Sequence, residues 1–402
     1  MKNFIPKILY LVFPIALLLV LPSVSLGAVG PCSEHDLTGY AWSSNIGWIS
    51  FGCESGASID YGVDWDFSSG NLTGYAWSSS VGWISMNPGS TPSTSVTFNN
   101  TGDSLVGWAR ACSVFASGCS GSLRPNSERG DWDGWLKFSG DKFDVTLDST
   151  TKEFNGYAWG DLNLGWVSMN GSNYTVDFNA YTVTTGVGDG DGSVDIDPPG
   201  ETCDDGDGSC LYHFPKSSLI ETTLKANPDQ FYGFVKWQNT CPGATNTNTT
   251  NPCTFDVDEN YVLYAIFKDV EIVTLDIISK DTEIQGTQAD LHGEVTIYNE
   301  LDTEVFFRYG SYDSETGGSA PPSTCSSSTG SMSDTEKFTV TPGEGTVTED
   351  FEIQVEELDQ NRDFWYCAVA RQKQGTNTET KYGNVISGQG YKTRVKPGFE
   401  NF

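Results

Sequence analysis

A short phrase recurs along the first 180 residues with its letters and spacing nearly unchanged, and it restricts the fold more than any other feature. Leu37-Thr-Gly-Tyr-Ala-Trp42 leads after four residues into Gly47-Trp-Ile-Ser-Phe51. Leu72-Thr-Gly-Tyr-Ala-Trp77 with Gly82-Trp-Ile-Ser-Met86, and Phe154-Asn-Gly-Tyr-Ala-Trp159 with Gly165-Trp-Val-Ser-Met169, repeat it. A divergent copy lies between them: Leu105-Val-Gly-Trp-Ala-Arg110, an insertion carrying Cys112 and Cys119, then Gly134-Trp-Leu-Lys-Phe138. One more alternating segment trails each copy, ending at Asp66, Phe98, Asp148 and Phe178. Runs of four to six residues with period two, punctuated by Gly, Ser and Asn, read as short strands. Each unit is therefore expected to be three antiparallel strands. On the first, Tyr40 and Trp42 share a face opposite Ala41; on the second, Trp48 and Ser50 lie opposite Ile49 and Phe51.

The pattern changes twice further on. From Tyr181 to Phe267 Trp nearly vanishes, a Gly- and Asp-rich hairpin opens the segment, and Tyr261-Val-Leu-Tyr-Ala-Ile-Phe267 closes it. From Val270 longer alternating runs surround a Ser/Gly/Pro-rich loop, as in a β-sandwich. The fold class expected is all-β: a domain of four repeat units over 29–179, arranged as a small propeller or a β-solenoid, then small β domains over 180–269 and 270–402, the last sandwich-like. Short polar connections near residues 179 and 269, with a separate aromatic cluster on each side, predict that the three unfold independently.

Residues 1–28 have the layout of a secretory signal peptide: Lys2 and Lys7, an apolar run from Ile8 to Val24, and small residues at the end. Left uncleaved, the run would be the chain's one membrane contact. Ten cysteines fall into local pairs without C-x-x-C spacing, which predicts Cys32–Cys53, Cys112–Cys119, Cys203–Cys210, Cys241–Cys253 and Cys325–Cys367 disulfides in an oxidising compartment. The formal net charge of −31 disfavours nucleic acid and anionic headgroups as partners.

Three resemblances follow from these letters. The repeat units resemble tandem repeats of secreted bacterial proteins. The segment carrying Cys203/Cys210, Leu224-Lys-Ala226-Asn-Pro228, Trp237, Cys241/Cys253 and Val262-Leu-Tyr-Ala-Ile-Phe267 resembles the internalin B-repeat-like surface module. The last segment, through Ala289-Asp-Leu-His-Gly-Glu-Val295, Val305-Phe-Phe-Arg-Tyr-Gly310 and Tyr366-Cys-Ala-Val-Ala370, is similar to fibronectin type III-like domains. The last two imply adhesion, spacing or display at a cell surface.

The repeated aromatic residues are the most informative chemistry. They either fill the core of units too small to bury much aliphatic surface, or stack on sugar faces as an exposed platform. The candidate ligand-binding residues are Tyr40, Trp42, Tyr75, Trp77, Trp108, Arg110, Tyr157 and Trp159, with Arg110 standing where the other units carry Trp. Asp189, Asp191 and Asp195 offer hard oxygen ligands for calcium, but the EF-hand spacing fails, and no metal is assigned. No G-x-S-x-G elbow or H-E-x-x-H occurs, no cofactor is implied, and the chain reads as a binding protein without catalysis. The expected function is adhesion or glycan recognition outside the cell, with a glycan or a cell-surface protein as partner. The alternative is a structural envelope or spacer protein with no small-molecule ligand.

Overall fold

The computed structural model of the 402-residue chain describes residues 32–54, 59–89, 95–99, 103–243, 248–275, 284–285, 288–312, 320–326, 332–343, 345–356, 358 and 362–388. Residues 1–28, where a signal peptide is expected, lie outside the described residues. Among the described residues no helix is long and apolar enough to cross a membrane.

Units 1 and 2 each supply one long and two short strands, and units 3 and 4 four strands each. Unit 1 holds β1 (Leu37–Ser43), β2 (Gly47–Ser50) and β3 (Val63–Trp65). Unit 2 holds β4 (Leu72–Ser78), β5 (Gly82–Ser85) and β6 (Thr97–Asn99). In unit 3 the long strand is split into β7 (Ser104–Val106) and β8 (Trp108–Ala111), followed by β9 (Trp135–Lys137) and β10 (Val145–Asp148). Unit 4 holds β11 (Glu153–Gly160), β12 (Trp166–Ser168), the two-residue β13 (Asn170–Gly171) and β14 (Tyr174–Phe178).

These strands close into an eight-stranded antiparallel barrel. At its lower level the pairing runs β1, β3, β4, β6, β7, β10, β11, β14 and back to β1; the β4–β6 contact is made by the Asn71–Thr97 bridge. At its upper level it runs β1, β2, β4, β5, β8, β9, β11, β12 and back to β1. A propeller would keep each unit as its own sheet, and a solenoid would leave the terminal units unpaired. Here main-chain pairs cross every unit boundary, and β14 and β12 return to β1, so no edge is left open.

The repeated glycine makes the two levels possible. Gly39, Gly74, Gly107 and Gly156 sit where each long strand passes from one level to the other, at φ of +82°, +81°, +98° and +91°. A Cβ there would lie 2.1–2.3 Å from a carbonyl oxygen of the neighbouring third strand. Only glycine tolerates both the dihedral and the approach.

Equivalent positions of the four units form layers in the barrel interior. Leu37, Leu72, Leu105 and Phe154 make one layer; Ala41, Ala76, Ala109 and Ala158 another; Ile49, Ile84, Leu136 and Val167 a third. Trp65, Phe98, Leu147 and Phe178 close the lower end. Ile46, Val81 and Trp132 pack against this core from the hairpin-tip side together with Leu164. The barrel is filled by side chains, each buried Leu, Ile or Phe contributing about 1.5–3 kcal/mol.

The next segment packs two four-stranded sheets. Its strands are β15 (Ala180–Asp189), β16 (Gly192–Asp197), β17 (Glu201–Asp204), β18 (Cys210–Pro215), β19 (Glu221–Pro228), β20 (Gly233–Trp237), β21 (Cys253–Asp256) and β22 (Tyr261–Lys268). One sheet runs β18-β15-β22-β20, with β15 and β22 parallel, and the other β17-β16-β19-β21. Trp237 is fully buried between them, its indole N–H donating to the Thr250 carbonyl. In the last segment Glu271–Leu275, Gln288–Ile297 and Val347–Val355 pair as one sheet, and Thr303–Tyr312, Asp363–Gln374 and Asn377–Tyr382 as part of the other. All five expected disulfides are present.

Candidate binding site

Strict alternation puts Ala41 and Ile49 inside the barrel and therefore Tyr40, Trp42 and Trp48 outside it. The same holds in the other units. Trp42, Trp48, Tyr75, Trp77, Tyr157 and Trp166 keep between 38% and 52% of their surface in solvent. Tyr40, Trp83, Trp108, Trp135 and Trp159 are half-buried on the same outer face. The repeated Tyr and Trp are thus not the barrel core, which is built from the residues between them.

The register arranges these side chains in lateral rows that cross unit boundaries. Tyr40 lies opposite Ser50, Ser50 opposite Trp77, and Trp77 opposite Trp83. The other rows are Tyr75, Ser85, Arg110, Trp135; Trp108, Lys137, Trp159, Trp166; and Tyr157, Ser168, Trp42, Trp48. In three of them a small serine separates a tyrosine of one unit from the next unit's contribution. Two strand spacings put the flanking residues about 10 Å apart, roughly the span of one sugar ring with its substituents.

Three of the rows end in a pair of indoles, two of these pairs packed edge to face. Trp42 and Trp48 have ring centroids 4.7 Å apart, and Trp77 and Trp83 4.6 Å. Trp159 and Trp166, also 4.6 Å apart, are tilted at 56°. A further ring supports the second indole: Tyr174 on Trp48, Tyr61 on Trp83 and Phe143 on Trp166, at 5.1–5.3 Å. Tyr40 donates its hydroxyl proton to Glu54 Oε1 at 2.5 Å, and that bond pushes its pKa up to about 12. The serines of the notch are tied down as well, Ser50 Oγ donating to the Gly52 carbonyl and Ser168 Oγ to that of Asn170.

Arg110 corrects one expectation. It is 5% exposed, with its guanidinium carbon 4.2 Å from the Trp135 ring centroid and 4.9 Å from that of Phe115, and Nε donates to the Asp133 carbonyl. The guanidinium is buried between rings and presents no open donor fork. It fills the volume of the absent tryptophan. The calcium candidates do not converge. Asp195 accepts from Thr202 and Asn227, and Asp189 from the backbone of Gly190. Among the described residues the two clusters with metal-ligand spacing, Cys32/Cys53/Asp60 and Cys203/Asp207/Cys210, each contain a disulfide, whose sulfurs are not thiolate ligands.

Reading the first strand alone misses half of each aromatic pair. Trp48, Trp83 and Trp166 belong to the rows, and their signal was the alternation of the second strand against Ile49, Ile84 and Val167. The support from Tyr61, Phe143 and Tyr174 depends on pairing between units, which no local pattern encodes. A groove of about 450 Å³ between the second and third segments, lined by Phe231, Tyr232, Tyr298 and Gln374 among others, contains none of the repeat residues. No protein-family model matches the chain, and no curated protein matches it.

Proposed function

We propose that the chain is an exported, surface-acting binding protein whose barrel recognises carbohydrate through its outer aromatic rows. One observation carries this reading: a barrel with a complete core of other residues keeps Tyr and Trp at the same outward positions in successive units. Exposed Trp costs solubility and is not needed to fill the barrel, whereas stacking on the apolar face of a sugar uses it directly. The serines leave a small-residue notch between the tyrosine of one unit and the ring of the next, with room for a sugar ring between them. Export accords with five disulfides, which persist in an oxidising compartment, and with the leader-like segment at 1–28. The two following β segments, which resemble bacterial surface modules, would then serve as spacers. Binding without catalysis is the role.

The close packing of each indole pair, at 4.6–4.7 Å between centroids, favours a second reading, in which the rings brace the outer wall of a structural spacer and touch no ligand. A glycan array on the full-length oxidised protein separates the two. Binding that falls in Trp77→Ala and disappears in the triple variant Trp42→Ala/Trp77→Ala/Trp159→Ala is expected, the stepwise loss reflecting multivalency. Since these positions are partly exposed, each change should cost about 1–2 kcal/mol, against 3–5 kcal/mol for a fully buried Trp. No glycan bound, with a large drop in melting temperature for Trp77→Ala, would return the rings to a bracing role.

A further inference from the structure

Between residues 8 and 109 the chain contains no Lys or Arg at all, so units 1 and 2 contribute neither to any row. Unit 3 breaks this rule. Lys137 occupies the notch position held by Ser50, Ser85 and Ser168, and Trp108 replaces Tyr40, Tyr75 and Tyr157 beside it. The Lys137 ammonium lies 5.2 Å from the Trp108 ring centroid, and Trp159 of the next unit is its other cross-strand neighbour. Of the other cations of unit 3, Arg110 lies between its rings, Arg124 pairs with Glu128 and Arg129 with Asp133, while Lys142 is exposed in the turn before β10 and is no member of a row. Among the described residues Lys137 has no carboxylate partner. On a chain of net charge −31, carboxylates to neutralise it are abundant elsewhere.

Resting on the carbohydrate reading above, we propose that the Trp108–Lys137–Trp159 row is an acidic-sugar subsite, distinct from the rows built around serine. An anionic sugar would stack its ring on Trp108 or Trp159 and place its carboxylate or sulfate on the Lys137 ammonium, forming a charge-assisted hydrogen bond. The serine rows would take neutral sugars, so one barrel would read a glycan of mixed charge at neighbouring positions. The protein's overall negative field disfavours long polyanions and leaves short acidic oligomers as the better ligands.

The test uses the full-length oxidised protein and isothermal titration with three probes of equal length: oligogalacturonate, the corresponding neutral galactose oligomer, and a sulfated galactose oligomer. Either acidic oligomer is expected to bind about tenfold tighter than the neutral one, and comparison of the two assigns carboxylate or sulfate. Lys137→Ser installs the residue that three other rows already carry, and should abolish this preference while leaving the neutral oligomer bound. Lys137→Arg should retain the preference. Equal affinity for acidic and neutral oligomers overturns the acidic subsite and leaves the carbohydrate reading standing. An acidic preference that survives in Lys137→Ser also overturns it. Failure of all three probes, with a folded protein by circular dichroism, overturns the acidic subsite, and the glycan array decides the carbohydrate reading separately.

Discussion

Gly74 illustrates how much one position can decide. Its φ of +81° and the Gly62 carbonyl oxygen 2.2 Å from where a Cβ would sit leave no room for alanine. Gly74→Ala should cost at least about 2 kcal/mol, read as a lower denaturation midpoint with far-UV spectrum retained. The motif exposed this glycine as recurrent, but its reason, a strand crossing between two levels of a barrel, needs the neighbour strand. Histidine protonation gives a second expectation at this scale. His213 is buried beside Phe178 and Phe98, and neither of its ring nitrogens has a hydrogen-bond partner. Burial, reinforced by Lys152, pushes its pKa down to about 4. The unfolded chain takes up a proton near pH 6.5 that the folded chain refuses, so stability should fall as pH drops from about 6.5 to about 4, by up to about 3 kcal/mol. His213→Phe should remove that slope in denaturant titrations at pH 7 and pH 4.5. His35 acts with the opposite sign: burial lowers its pKa, but the Asp64 and Asp60 carboxylates at 2.9 and 3.2 Å more than offset this and raise it. Its contribution is complete below about pH 6.5 and is lost as pH rises through the raised value.

At the scale of elements, most strands were legible because alternation and turn residues are local signals. The phases of Ala41, Ile49 and Phe51 put them inside, and they are inside. What alternation could not convey was which strand pairs with which. The second strand of each unit shares only one or two residue pairs with the next unit, Ser50 with Trp77 alone, or Lys137 with Trp159 and Leu136 with Gly160, and these few contacts close the ring. Hairpin tips add to the closure: Ser43 Oγ donates to the Leu164 carbonyl and Ser80 Oγ to that of Ile46. The insertion of unit 3 stands outside this logic. It carries the single-turn helix α1 (Asn126–Arg129) and the Cys112–Cys119 bridge, which spans only seven residues of sequence. Cys112→Ser/Cys119→Ser should therefore cost about 2–3 kcal/mol through loop entropy while leaving barrel pairing intact. Hydrogen exchange in β1, β4 and β11 checks this: their amides should keep their protection relative to one another, and selective loss in those strands would mean that the insertion holds the barrel register.

For the whole molecule, the junction between the barrel and the next segment bears on the independent unfolding expected from its polar connections. Asp36, just before β1, is fully buried. One carboxylate oxygen accepts from the backbone N–H groups of Lys216 and Ser217; the other accepts from the Trp65 N–H and the Ser217 hydroxyl. A single side chain thus satisfies donors from the barrel and from the loop after β18. Around it Phe67 stacks on Phe214 at 5.1 Å, and Lys152 Nζ donates to the Ala180 carbonyl. The lower end of the barrel is consequently sealed by the second segment, and opening one exposes the core of the other. Removing the carboxylate leaves the buried Trp65 N–H and the partly buried N–H groups of Lys216 and Ser217 without their acceptor, at about 1–3 kcal/mol for a buried donor. Asp36→Ala should then lower the stability of the barrel and of β15–β22 together, by about 3 kcal/mol or more. Hydrogen exchange with mass spectrometry resolves the two segments: amides of β4, β11, β15 and β22 should lose protection by the same free energy. The Gln288–Ile297 and Thr303–Tyr312 strands, remote from Asp36, should change less. If β4 and β11 lost protection while β15 and β22 kept theirs, the two segments would be independent units after all, joined by a linker and a contact too weak to couple them.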